Sequence, residues 1–178
     1  MKNWKKSAIA FSLATGLLIT GTAITTIHTT HAAPNTKIVS PVQQQSNQAT
    51  IKKIRNLASQ GKTVNSEKFG LQSKTNDIVK KWGKPDSGSD ANHLYYDKKG
   101  IGFIAEKGKV VKIYSGDKSY WDITYKEVKQ TLGKPVKEVK GEDGVYLTYK
   151  AGKNTLVFAF YYNNEGTEPS TLGEVTVY

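Results

Sequence analysis

The chain contains no cysteine, and Arg55 is the single arginine among its 26 basic residues. Without thiols it can form no disulfide, no thiolate metal site and no cysteine nucleophile, so packing must supply its stability. Histidine is nearly as scarce: His28, His31 and His93. The first two fall in a leading segment expected to be removed, which leaves His93. One imidazole and no thiol cannot build a Ser-His-Asp triad, a His-Cys pair or a multi-histidine metal centre. No metal and no cofactor are therefore expected, and His93, at the start of an expected strand, reads as a sheet-edge residue. The shortage of arginine matters as well, because bidentate phosphate and base recognition lean on guanidinium groups. The formal charge is +11, but the lysines are scattered along the chain. Nucleic acid is not the expected partner; solubility or weak attraction to an anionic cell-envelope polymer fits better.

What is present begins with a basic start, Met1-Lys2-Asn3-Trp4-Lys5-Lys6, an apolar stretch from Ala8 to about Ile27, and the small-residue exit "THAAP". This is the pattern of a secretory signal peptide over residues 1–33, cleaved after Ala32 or Ala33. An uncleaved membrane anchor is the rival, disfavoured by the many threonines and the small-residue exit. Cleavage would leave no stable membrane anchor and a secreted chain, with wall association as an option. Its charge would fall by three, to +8, as Lys2, Lys5 and Lys6 leave. Residues 34–50, "PNTKIVSPVQQQSNQAT", read as a flexible tether. Residues 51–178 remain as a single domain.

Ile51, Ile54, Leu57 and Ala58 share one helical face, which predicts a helix from about Gln48 to Gln60. Two copies of one pattern follow. "VKKWGKPDSG" at Val79–Gly88 and "VKQTLGKPVKE" at Val128–Glu138 each run from a charged helical turn through a large apolar residue into Gly-Lys-Pro. The glycine ends the helix and the proline prevents its resumption. Thr124 and Glu127 have capping-box spacing. Three strands follow each stop: "NHLYYD", "GIGFIAE", "KVVKIYSG", then "GVYLTYK", "NTLVFAFYY", "GEVTVY". The repeats span about 74–115 and 124–178. Neither can bury its apolar face alone, so the expectation is α+β: tandem helix–three-strand repeats forming one mostly antiparallel sheet of about six strands, with the helices on one face.

A helix running into Leu/Trp-Gly-Lys-Pro and a strand meander resembles the repeat of beta-lactamase inhibitory protein, and the outer-membrane assembly lipoproteins of the BamE/SmpA type share a similar single unit. From Ile51 to Tyr178 the chain resembles the secreted YjgB family of bacilli, through its "LASQGK", "KKWGKPD" and "LGKP" segments in that order. The resemblance implies a beta-lactamase-inhibitory-protein-like fold and carries no catalytic residue. The chain lacks the cysteine pairs that staple the inhibitor repeats, so inhibition of beta-lactamase is an analogy only.

Carboxylate chemistry needs only two acids about 5–10 Å apart. Asp86, Asp90 and Asp97 surround the first hairpin, and Glu142 and Asp143 precede the fourth expected strand. All sit among turn residues and read as solvated turn acids. "DSGSDAN", Asp86–Asn92, lacks the acid ladder of a calcium loop.

Strand alternation places Leu94, Tyr96, Val111, Ile113, Leu147, Tyr149, Phe158, Phe160, Val175 and Val177 toward the helices, with Trp82 and Leu132 above them. The other face then collects Tyr95, Tyr114, Tyr146, Tyr161 and Tyr178, with Lys112, Thr148 and Thr176. These tyrosines form either a contact surface for protein or glycan, or cross-strand pairs that stabilise an exposed sheet. The sequence points to a secreted, non-catalytic binding module for a protein or cell-envelope partner, with a carboxylate-based envelope hydrolase as the alternative.

Overall fold

Ser40 and Pro41 start a helix inside the segment that composition marks as a tether. The structure, a computed structural model, describes residues 40–163 and 168–178; the expected signal peptide lies outside the described residues, as do residues 34–39 of the expected tether. Helix α1 runs Pro41–Ser59. The Ser40 side chain accepts from the Gln43 N–H at 3.2 Å, and Pro41 occupies a first-turn position whose N–H has no helical partner. Residues 41–50 therefore form the first half of α1. Their buried position is polar: Asn47 continues the stripe of Ile51, Ile54 and Ala58, so apolar periodicity alone does not reveal it.

Two shorter helices follow, α2 (Thr75–Trp82) and α3 (Tyr125–Leu132). The capping box at α3 is formed, with Thr124 and Glu127 each satisfying the other's backbone N–H. Both helices end at a glycine with positive φ, +89° at Gly83 and +79° at Gly133, a conformation that favours a residue without Cβ.

The strands are β1 (His93–Tyr96), β2 (Ile101–Glu106), β3 (Lys109–Ser115), β4 (Lys137–Lys140), β5 (Gly144–Ala151), β6 (Asn154–Tyr161) and β7 (Glu174–Val177). They form one open antiparallel sheet in the order β1-β2-β3-β7-β6-β5-β4. The two repeats meet where β3 pairs with β7, through Ile113 opposite Val177 and Ser115 opposite Val175. The described residues form seven strands where about six were expected. The addition is β4, "KEVK", an edge strand exposed at every position and too polar to announce itself.

Direct cross-strand partners place one buried row along the sheet: Leu94, Phe103, Ile113, Val177, Leu156 and Tyr149. Tyr96 lies two residues from Leu94 and so faces the same way. Its hydroxyl donates to Gly83 O at the end of α2, and that of Tyr149 to Gly133 O at the end of α3. Both repeat helices therefore cover one face.

Two placements differ from simple alternation. Ile104 pairs with Lys112 and Ala105 with Val110, so Val111 is the extra residue of a bulge. Val110 takes the core position expected for Val111, which is only half-buried. Trp82 is also half-buried. It packs edge-on against Phe69 and Tyr96, donates its Nε1–H to Glu67, and carries the Lys99 ammonium 4.7 Å from its ring centroid.

Candidate functional site

The face away from the helices is built by the alternate residues of the same strands. Tyr95, Gly102, Tyr114, Thr176 and Val157 lie directly opposite one another from β1 to β6. Lys112 shares this face on β3, Tyr161 on β6 and Tyr146 on β5. Tyr178, two residues beyond Thr176, exchanges backbone hydrogen bonds with Thr155. All six residues singled out from the sequence, the five tyrosines and Lys112, thus lie on the helix-free face.

The rings are not equivalent. Tyr95, Tyr161 and Tyr178 are 37%, 39% and 46% exposed, whereas Tyr114 and Tyr146 are half-buried. Beneath them Ala159 and Thr176 are buried, so the rings form a partial second layer over the sheet. Glycines permit this. A Cβ on Gly173 would stand 2.6 Å from the Tyr161 ring, and one on Gly102 would stand 3.1 Å from Tyr95. Lys112 does not project freely, because its ammonium stands 5.2 Å from the Tyr178 ring centroid and 5.8 Å from that of Tyr114. It is partly engaged in cation–π contact within the face.

At one end of this face a shallow hollow of about 610 Å³ lies between Tyr95 and Tyr114. Asp97 and Glu174 also line it. Glu174 accepts from Thr176 Oγ1 at 3.0 Å, and partial burial raises its carboxyl above the ordinary glutamate range. Burial also raises the Tyr161 phenol, and the charge of Glu174 adds to that effect. Tyr146 is pushed up to about 12, first by burial and then by its hydrogen bonds to the Asp143 carboxylate, 2.8 Å to each oxygen. Glu174 therefore electrostatically links the hollow to the Tyr146–Tyr161 side of the face.

The chain matches the family model described as "Domain of unknown function (DUF4309)" over residues 51–178. It belongs to that family. The crystal structure of a DUF4309 family protein, YjgB from Bacillus subtilis, is similar at a TM-score of 0.61 and 19% identity, covering 75% of this chain and 97% of that one. At that identity the likeness shows the fold alone. No curated protein matches the chain. The YjgB-type resemblance seen in the sequence is thus a family membership, and the DUF4309 match begins at Ile51, inside α1.

Two of the acids raised as catalytic candidates, Asp86 and Asp90, hold turns in this DUF4309 domain, whereas Asp97 lines the hollow and Asp143 accepts from the Tyr146 hydroxyl. Asp86 accepts from the Asp97 N–H at 2.7 Å, and Asp90 accepts from the N–H groups of Asn92 and His93 at 2.7 Å each. His93 sits at the sheet edge, its Nδ1 3.0 Å from Asp90. Among the described residues no group of three or more His, Asp or Glu gathers in metal-binding geometry. Lys84 and Lys134, next to the helix-ending glycines, are exposed.

Sequence reasoning missed Glu174 and the bare floor of the hollow. Glu174 opens the last strand like any polar residue, and only the pairing of β3 with β7 brings it beside Gly116. It also missed Trp121, which is 58% exposed in the connector between repeats.

Proposed function

We propose that this DUF4309 domain is a secreted, non-catalytic binding module that holds a protein or cell-envelope partner on its tyrosine face. The observation that carries the proposal is the gathering of Tyr95, Tyr114, Tyr146, Tyr161 and Tyr178 on the face opposite the helices, with a carboxylate-edged hollow between Tyr95 and Tyr114 at one end. The helix side already supplies a complete apolar core, so these rings are not required for one. Tyrosine combines large contact area with a polar tip and loses little entropy on binding, which suits a recognition surface. Asp86 and Asp90, which cap turns, lend the hydrolase alternative no support.

The test compares the parent with the Tyr114→Ser/Tyr161→Ser double variant for retention of a partner from secreted and envelope extracts. A folded variant that weakens retention by about 2 kcal/mol or more supports the proposal. A folded variant that retains the partner equally well places the site elsewhere. Secretion has its own test, N-terminal sequencing of protein from culture medium, which should begin at Ala33 or Pro34; an intact Met1 on a membrane-bound product would defeat it.

A further inference from the structure

Three glycines make the floor of the hollow. Gly102 lies opposite both Tyr95 and Tyr114. The Gly116 N–H donates to Gly100 O at 2.8 Å, so these two adjoin on neighbouring segments. Gly100, Gly102 and Gly116 all line the hollow; the Tyr95 ring covers Gly102, whereas Gly116 offers bare backbone that a ligand can approach closely. The volume, about 610 Å³, lies within the roughly 300–1,000 Å³ usual for small-molecule sites.

The charged side chains that line this hollow are the carboxylates Asp97 and Glu174, while the Lys112 ammonium is held against the Tyr178 and Tyr114 rings outside the lining. An anion entering the hollow meets two carboxylates. A cation approaches a chain whose formal charge is +8 once residues 1–33 are removed. A neutral polyhydroxylated ring meets neither repulsion. Its hydroxyls can donate to the carboxylates, and Thr176 uses only one of the roughly four acceptor positions of Glu174. The C–H face of the ring can lie against the phenol of Tyr95 or Tyr114.

From this combination of aromatic walls, carboxylate acceptors and a glycine floor, we infer that the hollow binds a neutral sugar unit of a glycan. The inference rests on the tyrosine face being a binding surface and narrows its ligand to carbohydrate.

The experiment is a titration of the isotope-labelled protein followed by amide NMR shifts. The probes are cellotetraose, tetra-N-acetylchitotetraose, tetralysine and tripolyphosphate. At least one tetrasaccharide should move the amides of Gly100, Gly102 and Gly116, with a dissociation constant of about 1 mM or tighter. The two charged probes should leave those amides in place. Gly116→Leu should weaken sugar binding at least about tenfold by filling the hollow. A Cβ there meets only Gly173 O, at 3.6 Å, and Gly116 has no positive φ to strain the replacement. Tyr95→Ala, which removes an exposed wall, provides a second variant with the core untouched and should also weaken binding.

Glycine amides that stay still up to about 10 mM of both sugars overturn the inference, as does a larger response to either charged probe. Undiminished sugar binding by a folded Gly116→Leu variant overturns it too. If the Tyr114→Ser/Tyr161→Ser variant loses its partner while the sugars produce no shift, the carbohydrate inference fails and the binding face stands. If neither test responds, both fail.

Discussion

The Tyr149 hydroxyl donates to the carbonyl oxygen of Gly133 at 3.0 Å, joining the middle of the second meander to the last turn of its own helix. The first repeat makes the same bond from Tyr96 to Gly83, also 3.0 Å. Each uses a carbonyl that the ended helix leaves without an intrahelical donor. Tyr96→Phe and Tyr149→Phe should each cost about 0.5–1.5 kcal/mol in denaturant unfolding. The two bonds lie in different repeats, so the double variant should be close to additive. A cost near zero for both would assign the similarity to packing alone.

Trp82 anchors α2 without being enclosed. Its ring packs against Phe69 and Tyr96 but remains half-buried. Trp82→Ala should cost roughly 2–3 kcal/mol, below the 3–5 kcal/mol expected for the fully buried Phe103→Ala. Chemical denaturation of both variants tests the order. A larger loss at Trp82 would contradict its partial exposure.

Asn47 ties the first half of α1 to the second repeat. Its side-chain amide donates to Glu127 Oε1 and to the Asp122 carbonyl, at 3.0 Å each. Asn47→Ala removes a partner from a buried carboxylate and should cost about 1–3 kcal/mol. A chain beginning at Ile51, the start of the family match, should show a similar or greater loss than one beginning at Ser40. Equal thermal midpoints for the two chains would show that residues 41–50 contribute no stability.

Glu174 predicts a pH dependence. Burial raises its carboxyl above the ordinary value of 4.5, so the folded chain binds this proton more tightly than the unfolded chain does. The resulting contribution to stability is fully present below 4.5 and is lost as pH rises through the raised folded value. Glu174→Gln removes the penalty on the ionised form and keeps an acceptor for Thr176. The variant should therefore melt higher than the parent at about pH 7 and show no such gain at about pH 4. A difference that is the same at both pH values would mean that ionisation of Glu174 is not its cause.

The sequence by itself determined the repeated unit. Gly83 and Gly133 stop helices because only glycine readily takes their backbone angles, and Pro85 and Pro135 keep the helices from resuming. Strand alternation separated Leu94 and Tyr96 from Tyr95, and Ile113 from Lys112 and Tyr114. These are local properties of successive residues, and a sequence carries them directly. Val111 shows the limit, since one bulge shifts the alternation and only the pairing of β2 with β3 fixes where it falls. Asn47 shows another, because a buried polar side chain resembles a surface one until its partners, 75 and 80 residues away, are in place. The candidate site divides in the same way. Its tyrosines were legible from strand period, but the hollow was decided by tertiary structure. Gly100, Gly102 and Gly116 reach Glu174 only because β3 pairs with β7 across the junction of the repeats, and that long-range register depends on how the assembled sheet buries its helix-side row.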